Sequence, residues 1–211
     1  MHSESSTYEE NKKIKLKTMK SDIILAGVGG QGVLSIAAAL GKAAVEGNLN
    51  LKQAETHGMS QRGGAVVSHL RISDTPIASD LIPLGCADLI LSEEPMESLR
   101  YLPFLSKDGY VVTNTSPFVN VPNYPDAKKV MDEIKKLPHY VAIDADAIAK
   151  TAGNLRAANM VMLGAASPFV DIEFSLLEDG IHAIFDRKGE DIVNMNLNAL
   201  RAGRDFAEKN R

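Results

Sequence analysis

Cysteine is almost absent from this sequence: Cys86 stands alone among 211 residues. A single thiol cannot close an internal disulfide or form a Cys-x-x-Cys redox centre, and it cannot supply the four thiolates of a cubane cluster. Its simplest reading is a small core residue. Positive charge is not in excess either. The formal net charge is −4, so no long-range field gathers nucleic acid. No apolar run approaches the roughly 18–20 residues of a membrane span. The first 20 residues, polar with Glu among the lysines, lack both the apolar core of a secretory signal and the acid-poor character of a transit peptide. They read as a flexible leader, residues 21–211 as one domain, and the cytoplasm as the compartment.

What the chain does have is 45% apolar residues, enough for a sizeable core, in an alternating order. "DIILAGV" is apolar on both faces, as in a buried strand. An apolar helix follows through about Glu46 and stops at Gly47-Asn48. "LNLKQAE" and "AVVSHLRI" alternate and read as strands added antiparallel, with Asp74-Thr75-Pro76 turning the chain. "ADLILSEE", "GYVVTNTS" and "HYVAID" are further strands. They are separated by helices around "PMESLRYLPFL" and "DAKKVMDEIKKL". The remainder is helical. Ser175 and Glu178 fit a capping box, and Ile192, Met195, Ala199, Ala202 and Phe206 follow an amphipathic spacing. "NMVMLGAA" is apolar on every side and is expected to lie in the domain or against a partner. The pattern predicts an α/β fold: a three-layer, Rossmann-like mixed sheet with helices on both faces and helices at the C-terminus.

The first motif is "GVGGQGVL", a Gly-x-Gly-x-x-Gly at Gly27, Gly29 and Gly32, with Gly30 and Gln31 between. Glycines at a strand-to-helix turn permit positive φ, let other groups approach the backbone, and expose the N–H groups of the helix to an anion. Gly-Lys-Ser/Thr is missing, so this is not a P-loop. Glu55 lies about 20 residues on, where a dinucleotide fold holds a ribose. NAD or FAD binding and a structural turn without nucleotide both remain open on the motif alone.

The second is "ETHGMSQRGGAVVSHLRI", which crowds Glu55, His57, Ser60, Gln61 and Arg62 ahead of Gly63-Gly64. Such density on a loop favours recognition over packing, although Arg62 paired with Glu55 inside the loop would also account for it. Together with "ADLILSEE" and "NMVMLGA", these segments resemble the gamma subunit of 2-oxoacid:ferredoxin oxidoreductases over roughly Ser21 to Asn210. "HGMSQRGG" resembles the small subunit of the indolepyruvate branch in particular.

The resemblance implies an oxidative decarboxylation. An aryl 2-oxoacid, CoA and oxidised ferredoxin give an arylacetyl-CoA, carbon dioxide and reduced ferredoxin. Thiamine diphosphate, magnesium and [4Fe-4S] clusters would belong to a large partner subunit, with CoA as co-substrate and no cofactor on this chain alone, which would be inactive by itself. Cofactor or substrate contacts would come from Gly27, Gly29 to Gly32, and Ser60 to Gly64. His57 and Arg62 are the candidates nearest the chemistry, and Gln31 is expected to offer its amide to an oxyanion. Alternatives are the gamma subunit of a pyruvate, 2-oxoglutarate or branched-chain enzyme, an NAD- or FAD-binding oxidoreductase, and a nucleotide-sensing domain. The two glycine turns are expected side by side at the carboxyl ends of the first two strands. His69 is expected to be packed or at the surface. Glu93-Glu94 is expected to be a rim or, given Pro95, a helix start.

Overall fold

In the computed structural model, residues 19–57, 63–119 and 121–211 are described, His57 by its backbone alone. Of the expected leader, Met19 and Lys20 fall among the described residues, and Lys20 already belongs to the first strand. Six strands form one mixed sheet: β1 (Lys20–Val28), β2 (Asn50–His57), β3 (Ala65–Ser73), β4 (Ala87–Ser92), β5 (Leu105–Asn114) and β6 (Tyr140–Ile143), in the order β2-β3-β1-β4-β5-β6. β4 runs parallel to β1, β5 to β4 and β6 to β5, whereas β3 is antiparallel to both of its neighbours, β1 and β2. The two antiparallel additions expected from "LNLKQAE" and "AVVSHLRI" are thus present.

Side-chain alternation explains the three layers. On β1, Ile23 and Leu25 enter the large core while Ile24 enters a smaller one behind the sheet. On β4, Leu89 and Leu91 go one way and Ile90 the other. The large core is covered by α1 (Val33–Glu46), α5 (Ala158–Ala166), α6 (Phe174–Phe185) and α7 (Glu190–Asn210), and α4 (Ala145–Thr151) adds Ala145 and Ala149 to it. The other face carries α2 (Pro95–Arg100) and α3 (Ala127–Ile134), with Tyr101, Leu102 and Leu137 packed on Ile24, Ile90 and Val111. α1 ends as expected: Asn48 takes a left-handed φ of 54° and Leu49 N–H donates to the Ala44 carbonyl (2.8 Å).

Several local expectations are corrected. The helix foreseen through "PMESLRYLPFL" stops at Arg100. Pro103 sits in a separate 3-10 turn, Leu102–Phe104, because proline cannot continue an α-helical ladder. Ser175 is no cap, since α6 begins at Phe174 with Glu173 at its N-cap position and no side-chain cap bond; Glu178 instead pairs with Arg201 of α7 (2.7 Å). Cys86 is exposed, on the chain between β3 and β4, and is not a core residue. His69 is packed: its Nδ1 accepts from the Ile82 N–H (3.1 Å), its ring meets Phe104 edge-on, and burial lowers its pKa. Among the described residues no helix is long and apolar enough to cross a membrane.

The apolar helix "NMVMLGAA" lies within the domain, one of the two places expected for it: Met160 to Ala166 are all buried within this chain. It packs on α7, whose buried face is Val193, Leu197, Leu200, Gly203 and Ala207, with Ala199 beside it. The expected stripe was rotated from this face because Gly203, invisible to a search for large apolar residues, faces inward. A Cβ at Gly203 would overlap the Val161 carbonyl, and one at Gly164 would overlap the Leu200 carbonyl. The two helices therefore touch backbone to backbone. Gly203→Ala should cost at least about 3 kcal/mol, a fall of roughly 6–12 °C in melting temperature for a domain of this size. Thermal unfolding followed by circular dichroism checks this, and an unchanged midpoint would contradict the contact.

Candidate functional site

The sheet switches direction of travel at β1. After β1 the chain crosses through α1 to β2 and β3 on one side, and after β4 it proceeds through α2 to β5 and β6 on the other. The loops leaving β1 and β4 therefore diverge, and ligands of open α/β sheets gather in the crevice so opened. A cavity of about 380 Å³ lies there. Gly30, Gln31 and Gly32 from the β1 loop form one wall, and Glu93 from the end of β4 lines it beside them. Asn114 ends β5 and Ser116, Pro117 and Phe118 follow it, and Asp146, Leu155, Arg156, Ala158 and Asn159 complete the lining.

The two glycine turns meet. Gly29 N–H donates to the Gly64 carbonyl (2.9 Å), and Gly63 N–H donates to the Gly29 carbonyl (3.3 Å). They meet because β3 lies against β1 with Val28 opposite Ala65, which leaves both loops at one edge. Gly30 and Gly32 have φ of 105° and 97°, a region L side chains rarely adopt. Gly32 is the N-cap of α1, which has no side-chain cap bond; its carbonyl accepts from the Ser35 and Ile36 N–H groups (2.9 and 3.3 Å), and the Val33 and Leu34 N–H groups are left at the helix start. Gly27 is needed for a different reason: a Cβ there would crowd Val33, Gln31 and Glu93.

Gln31 has work the sequence did not reveal. Its Oε1 accepts from Val28 N–H (2.7 Å) and its Nε2 donates to the Glu93 carbonyl (3.1 Å), clamping the end of β1 to the end of β4. The amide expected to meet an oxyanion is thus committed to the backbone. His57 closes β2 opposite Val66; its side chain and the candidates Ser60, Gln61 and Arg62 lie outside the described residues, as does any Arg62–Glu55 pair. β3 intervenes between β1 and β2. Glu55 therefore sits two strand spacings, roughly 10 Å, from the glycine strand, instead of the single spacing of a dinucleotide fold.

Four residues that the sequence did not single out, Asn114, Asp146, Arg156 and Asn159, also line the crevice. They come from the end of β5, the start of α4 and the turn that leads into α5, with the start of α5 itself. Asn114 Oδ1 accepts from Ser116 N–H (3.3 Å) and Ala145 N–H (3.2 Å), fixing the end of β5 to the start of α4. Glu94 does cap α2, accepting from Glu97 N–H (2.9 Å). Its other oxygen accepts from Phe118 N–H (3.3 Å) and from the Tyr124 hydroxyl, and so organises the loop after β5. Burial, then that bond to Glu94, raises the Tyr124 pKa.

Glu93 differs from its neighbour. Its side chain is 3% exposed, and its Oε1 is buried with no hydrogen-bond partner. Burial, with a smaller contribution from the nearby Asp146 charge, pushes its pKa up to about 8. Below about pH 4.5 the group is neutral in both folded and unfolded chains. As pH rises from there to about 8, the unfolded chain ionises and the folded one resists, so stability falls; above that, no further loss arises from this group. Glu93→Gln should remove a slope of at most about 1.4 kcal/mol per pH unit. The variant should therefore gain on the wild type between pH 5 and pH 8, as measured by urea unfolding. A constant difference across that range would contradict the assignment.

Residues 22–206 match the family described as pyruvate ferredoxin/flavodoxin oxidoreductase. The chain belongs to that family. It is similar to the indolepyruvate oxidoreductase subunit IorB of Archaeoglobus fulgidus, 37% identical over 192 residues that cover 88% of this chain and 94% of the relative. Among solved structures, its fold is similar to the 2-oxoglutarate:ferredoxin oxidoreductase of Magnetococcus marinus (TM-score 0.74, 22% identity, 90% of this chain and 31% of that one). It is also similar to the gamma subunit of a keto/oxoacid ferredoxin oxidoreductase from Geobacter sulfurreducens (TM-score 0.67, 23% identity, 90% and 99%). The family is one of oxidoreductases, and this chain is of the small-subunit type within it.

Proposed function

We propose that the chain is the small subunit of an arylpyruvate:ferredoxin oxidoreductase, with indolepyruvate as the type substrate, and that it completes a site owned mainly by a large partner. The joining of Gly29 to Gly63 and Gly64 carries this reading. It brings two backbone-rich turns, one opening a helix and the other closing the His57–Gly64 segment, to one rim beside the crevice. The likeness to an indolepyruvate oxidoreductase subunit over nearly the whole of both chains supports the aryl 2-oxoacid class.

The overall reaction joins the arylacetyl group to CoA, releases carbon dioxide and passes two electrons to ferredoxin. This chain's share is binding and enclosure. Its one cysteine is exposed, and among the described residues no group of His, Cys, Asp and Glu has the arrangement of a metal site. The residues present therefore do not fit an iron–sulfur cluster, and the partner subunit would carry the clusters with thiamine diphosphate and magnesium. Arg62, two residues from the Gly29–Gly64 contact, would meet an anion there: a substrate carboxylate, a CoA phosphate or an acid of the partner. His57, at the end of β2, would donate a hydrogen bond to the same ligand.

Co-expression with the large subunit tests this. The complex should turn over indolepyruvate and phenylpyruvate faster than pyruvate. Arg62→Ala should still assemble but lose about 10- to 100-fold in kcat/KM, the worth of one charge-assisted hydrogen bond. Unchanged kinetics with unchanged assembly would remove Arg62 from the site, and a preference for pyruvate would reassign the substrate.

A further inference from the structure

The glycine turn is not the whole of the crevice. Behind it, on the β4 and β5 side, the cavity ends on Glu93, a carboxyl group buried among strand ends with an oxygen that nothing in the chain satisfies. A buried acceptor without a partner is costly, and the side chain that carries this one also lines the cavity. The first turn of α1, a helix of 14 residues, opens on the same space through Gly32 and is not capped by a side chain. A helix start and an unpartnered buried acid thus lie on one cavity.

We propose that this crevice binds an oxyanion, a carboxylate or a phosphate-like group, and that Glu93 takes part as a neutral acid, donating its proton to a ligand oxygen while the α1 N–H groups and Arg156 supply the positive field. An ionised Glu93 would leave two carboxylates, Glu93 and Asp146, facing one arginine, and would repel an anion. A protonated Glu93 leaves Asp146 and Arg156 balanced and gives the carboxyl group a proton to donate to the ligand. Among the described residues, two other ionisable groups line the cavity with it. Asp146 comes from α4 and Arg156 from the turn before α5. Glu94, next in sequence, is turned to Tyr124 and the start of α2.

The site is a property of this chain, and it stands whether or not the complex prefers aryl 2-oxoacids. Binding is linked to the Glu93 proton: an anion that needs the acid form must take up a proton wherever the free group is ionised. With the group poised near pH 8, affinity should fall about tenfold from pH 7 to pH 9.

Sulfate and acetate separate the two oxyanion shapes, and neither titrates in this range. Each is added to the full-length ¹⁵N-labelled chain at pH 7 and pH 9 while the amide signals of Gly30, Gly32 and Leu34 are followed. The expected result is saturable shifts with one or both anions, with the dissociation constant about ten times larger at pH 9. The stronger anion identifies the shape. Glu93→Gln, which keeps a neutral donor, should bind at pH 7 and lose the pH dependence. Infrared spectroscopy of the carboxyl group in the wild type should show its titration moving to higher pH with the anion present, a readout that needs no variant. No shift with either anion, binding that tightens above pH 8, or a Glu93 titration indifferent to the anion would each overturn the proposal. None of these outcomes bears on turnover by the assembled enzyme, so the two proposals fail separately.

Discussion

The side-chain amide of Gln31 clamps the first strand to the fourth where their ladder ends. One end accepts from the Val28 N–H and the other donates to the Glu93 carbonyl, at the place where the sheet's connections part company and the backbone groups of both strands would otherwise end in a gap. A buried backbone polar group without a partner is costly, so this clamp lets the crevice exist without fraying either strand. It also fixes the neighbours: Gly27 must lack a Cβ because Gln31, Val33 and Glu93 close over it, and Glu93 is held in the lining of the cavity.

Around the clamp, each loop is tied by a different device. The β1 loop is hydrogen-bonded to Gly63 and Gly64, the β4 loop ends in the Glu94 cap of α2, and the β5 loop is gathered by Asn114 and Glu94. Glu93 and Glu94 show how one residue of separation changes a carboxylate's task. Glu94 accepts hydrogen bonds on both oxygens and is structural. Glu93 is left with an unmatched oxygen and a strongly raised pKa, the combination that marks functional sites more often than packing. Beneath them α5 and α7 meet backbone to backbone at Gly164 and Gly203 and back the sheet.

The order of strands decides between two enzyme types that share a glycine motif. In a dinucleotide fold the second strand lies beside the first and delivers its acid to the ribose. Here an antiparallel strand stands between them. The glycine turn is thus joined through Gly29 to Gly63 and Gly64, in place of a ribose-binding acid. Family membership agrees with that geometry.

Strand and helix identities were legible because period and punctuation are local properties: "DIILAGV", the Gly47-Asn48 stop and the alternation of "AVVSHLRI" each depend on neighbours in sequence. The two motifs could also be recognised, since a glycine at positive φ leaves its mark in the residue type. Other features were not legible, for one physical reason. Which face of α7 is buried turned on Gly203 meeting Val161 of another helix. Whether Cys86 is inside turned on how its loop lies, and the crevice residues Asn114, Asp146, Arg156 and Asn159 come together only when β1, β4, β5 and the later helices are assembled. The sequence by itself determined the elements and the turns that need glycine. The tertiary structure decided which polar groups were left without partners, because burial and hydrogen-bond satisfaction are set by contacts between segments distant along the chain.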